Sequence, residues 1–136
     1  RGLWHDARAR SALAAATAVA DFEPLVRKAE RDARRLEKEN MPWIDPLART
    51  TRADIAALRR DLPTAIRLLE DAAQRLDQVD MPLYAAVARR RLGELLGGDA
   101  GRDLVAQADS WMTGQGIVNP SRMTALFAPG FPRRWP

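Results

Sequence analysis

A chain of 136 residues with 46% hydrophobic content is the size of one domain and can bury a modest core. It contains no Cys and one His, so disulfides, thiolate catalysis, Cys-ligated metals and a multi-His metal site are excluded, and no His-based triad is expected. The net charge of +4 is mild and split unevenly, with 13 Lys/Arg against 9 Asp/Glu in residues 1–60 and 9 of each in residues 61–136, which does not by itself point to nucleic acid.

Ala and Leu dominate and β-branched residues are few, a mixture that favours helices over sheets. The spacing of apolar residues predicts seven helices, near residues 3–18, 22–39, 43–60, 63–78, 82–96, 100–114 and 120–127. The first carries Leu3, Ala7, Ser11 and Ala14-Ala15, with Trp4 beside them and His5 expected to be an exposed helix residue. The second interleaves Arg27, Lys28, Arg31, Arg34, Arg35 and Lys38 with Glu30, Asp32, Glu37 and Glu39. That reads as mixed-sign decoration held by intrahelical pairs. Asn40-Met41-Pro42 starts the third helix, with Ile44, Leu47, Thr51, Ile55 and Leu58 inward. Pro63 suits the first turn of the fourth, whose inward stripe is Ala65, Ile66, Leu69, Ala72, Ala73, Leu76 and Val79. Asp80 is the expected cap of the fifth, which ends at Gly97-Gly98, and Asp99 is the expected cap of the sixth. Arg89-Arg90-Arg91 cannot form one patch, because consecutive helical residues point about 100° apart; one stem is expected inward. Trp43 and Trp111 fall on apolar stripes and are expected to pack. The tail 128–136 is too rich in Pro for helix and is expected to be extended, packed on the last helix through Phe131.

The chain repeats itself. At an offset of 40, Val26 meets Ile66, Glu30 meets Glu70, Ala33 meets Ala73, Leu36 meets Leu76 and Met41-Pro42 meets Met81-Pro82. A fainter third copy runs through Leu104, Val105, Ala108, Trp111 and Met112. Each copy holds two helices joined by a short linker, the pattern of stacked antiparallel helix pairs. The Gly97–Asp103 stretch lacks the residues of a phosphate or calcium loop.

Ala53, Ala65, Leu69 and Ala72 match the small–small–large–small spacing of a tetratricopeptide repeat, and Leu92-Gly93 followed by Leu96 resembles its Leu-Gly-x-x-Tyr step. The chain therefore resembles tetratricopeptide proteins over roughly residues 3–117. Two departures stand out: a period near 40, and no Trp at the start of the first helix. The resemblance implies an all-α fold, a right-handed α-solenoid of about seven helices. Its repeats would fall near 1–40, 41–80 and 81–118, with a final helix at 119–127 and an extended tail at 128–136. The run Ala108–Met123 followed by Ala128-Pro129-Gly130-Phe131 is similar to the ending of large bacterial proteins, of the myxobacterial kinase kind, that join a Ser/Thr kinase, often an ATPase segment, and a tetratricopeptide tail. No kinase motif occurs in this chain.

The sequence is thus expected to encode a non-catalytic interaction or scaffolding module without cofactor or metal. It reads as the C-terminal piece of a larger signalling protein, since Arg1 enters what looks like mid-helix. Its partners would be protein or peptide segments, met on a concave surface that includes Thr50 and Asp54 of one repeat and Arg90 and Glu94 of the next. A self-associating domain is the alternative, with Trp4 as the contact if it is exposed. A nucleic-acid sensor using the basic N-terminal half ranks below both. No apolar run nears the roughly 20 residues of a membrane span, no basic-then-apolar leader is evident, and a Cys-free chain suits the cytoplasm.

Overall fold

The computed structural model describes residues 2–131, and within them the chain is all-helical, with seven helices and no strand. The helices are α1 (Gly2–Ala16), α2 (Glu23–Glu39), α3 (Asp45–Leu58), α4 (Leu62–Gln78), α5 (Pro82–Leu96), α6 (Gly98–Gly114) and α7 (Pro120–Phe127). Each lies within about two residues of its expected bounds, because Pro in the first turn and left-handed residues after the last turn mark the ends in the sequence.

The stops of α3, α4 and α6 share one device. Arg60, Asp80 and Gly116 take positive φ, and the next amide bonds back to the helix: Asp61 N–H to Ala56 O at 2.9 Å, Met81 N–H to Leu76 O at 2.9 Å, Ile117 N–H to Met112 O at 3.0 Å. These are Schellman-type endings that satisfy carbonyls left over at the C-terminal turn. Asp80 therefore does not cap α5, contrary to the sequence-based expectation; its backbone is spent on ending α4, and Met81 takes the cap position. Asp99 likewise lies in the first turn of α6, behind Gly97 at the cap, and pairs with Arg102. True side-chain caps occur at Asp61, which accepts from Thr64 N–H at 3.4 Å, and at Asn119, which accepts from Arg122 N–H at 3.1 Å.

The core runs as overlapping clusters. Ala9, Leu13, Val26, Ala29 and Ile55 join α1, α2 and α3. Leu47, Ala57, Leu69, Leu76, Ala88 and Leu95 belong to the largest cluster, across α3, α4 and α5. Ala86, Val87 and Met112 tie α5 to α6, with Met123 and Phe127 of α7 packed on them. Helices consecutive in sequence from α1 to α6 touch, and α1 also touches α3. The small and large residues Ala53, Ala65, Leu69 and Ala72 are all fully buried.

Charge pairing departs from expectation. Glu23 and Glu30 of α2 both reach Arg59 of α3, at 3.0 and 2.7 Å, and Glu37 reaches Arg52 at 2.9 Å. The carboxylates are seven residues apart, so they share one face, and that face meets α3 rather than their own helix. His5, expected to be exposed, is half-buried with Nδ1 3.2 Å from Asp32 Oδ1. Trp43 is exposed (37%) rather than packed, whereas Trp111 packs beside Met112.

Candidate functional site

Three of the buried charged residues, Asp6, Asp54 and Arg91, converge with half-buried Arg10 on one face, while buried Asp32 lies apart against His5. Asp6 and Arg10 come from α1, Asp54 from α3 and Arg91 from α5; residues 126–131, leaving the end of α7, lie across them. Asp54 is 1% exposed and Arg91 8% exposed, which is unusual for ionisable side chains. Each works through the chain that covers it. Arg91 donates from Nε and Nη2 to Ala128 O at 3.0 and 2.6 Å and from Nη1 to Glu94 Oε2 at 2.8 Å, and its guanidinium lies 4.5 Å from the Phe131 ring centre. Arg10 donates to Asp6 Oδ2 at 2.9 Å and to Leu126 O at 3.1 Å, and stacks 4.9 Å from the Phe127 ring centre. Tyr84 of α5 meets the same ring edge to face at 4.9 Å.

Asp54 sits under Gly130. The Gly130 N–H donates to its carboxyl, and a Cβ at Gly130 would press on Asp54 Cβ and stand 3.0 Å from its Cα. Asp54 Oδ1 finds no hydrogen-bond partner among the described residues. Burial pushes the Asp54 carboxyl well above the ordinary carboxylate range; Arg91 opposes the rise, Asp6 adds to it, and the Gly130 N–H and Arg10 oppose it. Asp6 is raised too, first by burial, with Arg10 acting against it.

The covering segment corrects the expectation for the tail. Phe131 is buried in the large α3–α4–α5 cluster rather than resting on α7, because Ala128 and Gly130 are small enough to bring the backbone down onto α3 and α5. Residues 132–136 lie outside the described residues.

The sequence-derived candidates spread around this face. Asp54 lies in its centre. Thr50 is half-buried and returns its hydroxyl to Pro46 O at 3.1 Å. Arg90 bonds Asp109 Oδ1 at 2.7 Å and Glu94 Oε1 at 2.5 Å, so it joins α5 to α6, while Glu94 also holds Arg91. Trp4 is 59% exposed on the far side of α1, with the Arg8 guanidinium 4.5 Å from its ring centre. The sequence reading missed Arg91 and Arg10. A signal existed: Arg91 stands 40 residues after Thr51, as Glu94 stands 40 after Asp54, and Thr51 is on the predicted inward stripe of its helix.

Among the described residues no group of three or more His, Cys, Asp or Glu side chains is placed to hold a metal ion, and no helix is long and apolar enough to cross a membrane. Comparison with family models, with curated proteins and with solved structures gives no match.

Proposed function

We propose that this chain is a protein-interaction module of tetratricopeptide-like build, whose recognition surface is the face shared by α1, α3 and α5. The observation that carries the reading is the non-helical segment 128–131 seated there behind the last turn of α7, held through the Leu126 and Ala128 carbonyls by two arginines and through a backbone N–H by Asp54. Backbone-directed contacts of this kind recognise extended chain of many sequences. The first helix of each pair supplies the face, as in a helical-repeat solenoid. Support for antiparallel pairing comes from the ion pairs: Glu23 meets Arg59 while Glu37 meets Arg52, so α2 and α3 run in opposite directions. The similarity of the last third to kinase tails supports a role in recruiting partners to, or regulating, a signalling protein.

A displayed library of extended peptides, panned on the full chain, tests the reading. Binders are expected whose footprint, mapped by amide exchange, includes α3 and α5. A library that yields no binder at micromolar strength would remove the interaction function.

A second reading is self-association. Leu3 and Trp4 are exposed on α1, and a cleft of about 410 Å³ lined by Trp4, Ala7, Ser11, Ala15 and Leu25 opens between α1 and α2. Nucleic-acid sensing fares less well. Arg49, Arg52, Arg59, Arg75, Arg89 and Arg90 all engage carboxylates, which leaves less cationic surface for phosphates.

A further inference from the structure

Segment 128–131 is an unusual piece of core. It follows the last turn of α7, carries Pro129 and Gly130, and covers charged groups as well as apolar ones, with Ala128 against Val87 and Phe131 among the leucines of α3, α4 and α5. An ordinary core strap would cover apolar side chains alone, because a buried carboxylate and guanidinium are costly unless fully satisfied. Here the satisfaction is partial: the strap answers Arg91 through Ala128 O, and the last turn of α7 answers Arg10 through Leu126 O, yet Asp54 Oδ1 is left without a partner. Residues of three helices thus form a polar receptor that the chain's own segment fits in outline and not in full. The segment also reaches its place from the short helix α7, which packs on α5 and α6, so the receptor helices α1, α3 and α5 do not depend on it for their chain connection.

We infer that residues 128–131 are a ligand held in cis, and that the face of α1, α3 and α5 beneath the end of α7 receives an extended small–x–Gly–aromatic segment of another protein that also brings a hydroxyl to Asp54. The backbone requirements come from the seated strap. A residue without Cβ is needed where Gly130 meets Asp54, and an aromatic ring must follow, to lie against the Arg91 guanidinium as Phe131 does. The hydroxyl requirement comes from the orphaned Oδ1. A hydroxyl both donates and accepts, so it satisfies that oxygen whether Asp54 is ionised or protonated, and burial favours the protonated form. The strap brings no hydroxyl, which is why another protein suits the face better than a second copy of this chain. Tethering gives the strap an effective concentration on the order of millimolar, so a competitor needs that additional bond.

This deepens the interaction reading and rests on it, and the two fail separately. The probes are a labelled peptide copying residues 124–131 and its Ala128→Ser and Pro129→Ser forms. The receptors are the full chain as it stands and two full-length variants that disengage the strap, Gly130→Val and Phe131→Ala. A folded strap variant is expected to bind the copy peptide at least ten-fold more tightly than the unaltered chain does. At least one Ser peptide is expected to bind about ten-fold tighter again, the scale of one good hydrogen bond. In the unaltered chain the Gly130 amide is expected to exchange with solvent at least a hundred-fold faster than the Leu69 amide, showing that the strap opens while α4 stays folded.

Exchange of both amides only through global unfolding would overturn the inference, as would the collapse of both strap variants, since either makes the segment ordinary core. Folded variants that bind none of the peptides would also overturn it, while library peptides bound elsewhere on the chain would leave the interaction reading standing. Ser peptides that bind no better than the copy would overturn the assignment to another protein and give the face to the tail of a second copy.

Discussion

Burial decides the chemistry of Asp54. Its carboxyl is raised well above the usual range, so the folded chain keeps a proton that the unfolded chain has already released. Stability from this group is therefore complete below the ordinary carboxylate pKa and declines as pH rises towards the raised folded value. The groups facing it are Arg91 from α5, Asp6 and Arg10 from α1, and the Gly130 amide above. Asp54→Asn fixes a neutral side chain of the same shape. The variant is expected to gain thermal stability relative to the parent as pH is raised from about 4 to about 7; melting curves that shift in parallel over that range would show Asp54 ionised without cost. Glu23 has the opposite sign: its carboxyl is lowered, first by its hydrogen bond to Arg59, and its contribution is lost as pH falls. It is exposed, so its share is small. The sequence offered Asp54 as a partner-binding candidate on a helix, but neither its burial nor its neighbours were visible there.

At the scale of elements, small residues set how closely helices approach. Gly93 of α5 faces Gly101 of α6, and a Cβ at Gly93 would stand 2.6 Å from Gly101 O and 2.9 Å from Val105 Cγ2. The obstruction is backbone, which cannot swing aside. Gly93→Ala is expected to cost about 1–3 kcal/mol in chemical denaturation, although Ala is the better helix former. A neutral or stabilising result would mean that α5 and α6 can separate freely. In the sequence Leu92-Gly93 stood out as resembling a tetratricopeptide step and Gly101 was placed in the sixth helix, but nothing showed that the two glycines meet, because the residues of α6 do not reveal which helix they will touch. The same blindness affected α2. Its charge pattern was plain, but only packing shows that Glu23, Glu30 and Glu37 face Arg59 and Arg52 of α3 instead of cations within α2.

At the scale of the whole molecule, the clusters run along the chain, so each helix leans mainly on its neighbours in sequence. The outer side of α1 carries Leu3 and Trp4 in solvent. Light scattering coupled to size exclusion, over a wide concentration range, separates the two readings of function. A constant monomer mass is expected if the α1–α3–α5 face is the working surface. A dimer that dissociates on dilution, and that Trp4→Ala abolishes, would transfer the function to the α1 face.

Helix number, helix bounds and the repeat were written in local sequence, because apolar spacing, first-turn prolines and left-handed stops act over a few residues. The inward stripe of α4 was mostly local: Ala65, Leu69, Ala72, Ala73 and Leu76 are buried, while Ile66 and Val79 at its margins are half-buried. Trp43 and His5 went the other way, since a residue at a helix end is exposed or covered according to what crosses it. The face built from Arg10, Asp54 and Arg91 was decided by tertiary structure alone. Its residues lie far apart in the chain, and what joins them is a segment that turns back from α7 and lays its backbone across three helices, an arrangement fixed by long-range packing and by the lack of a side chain at Gly130.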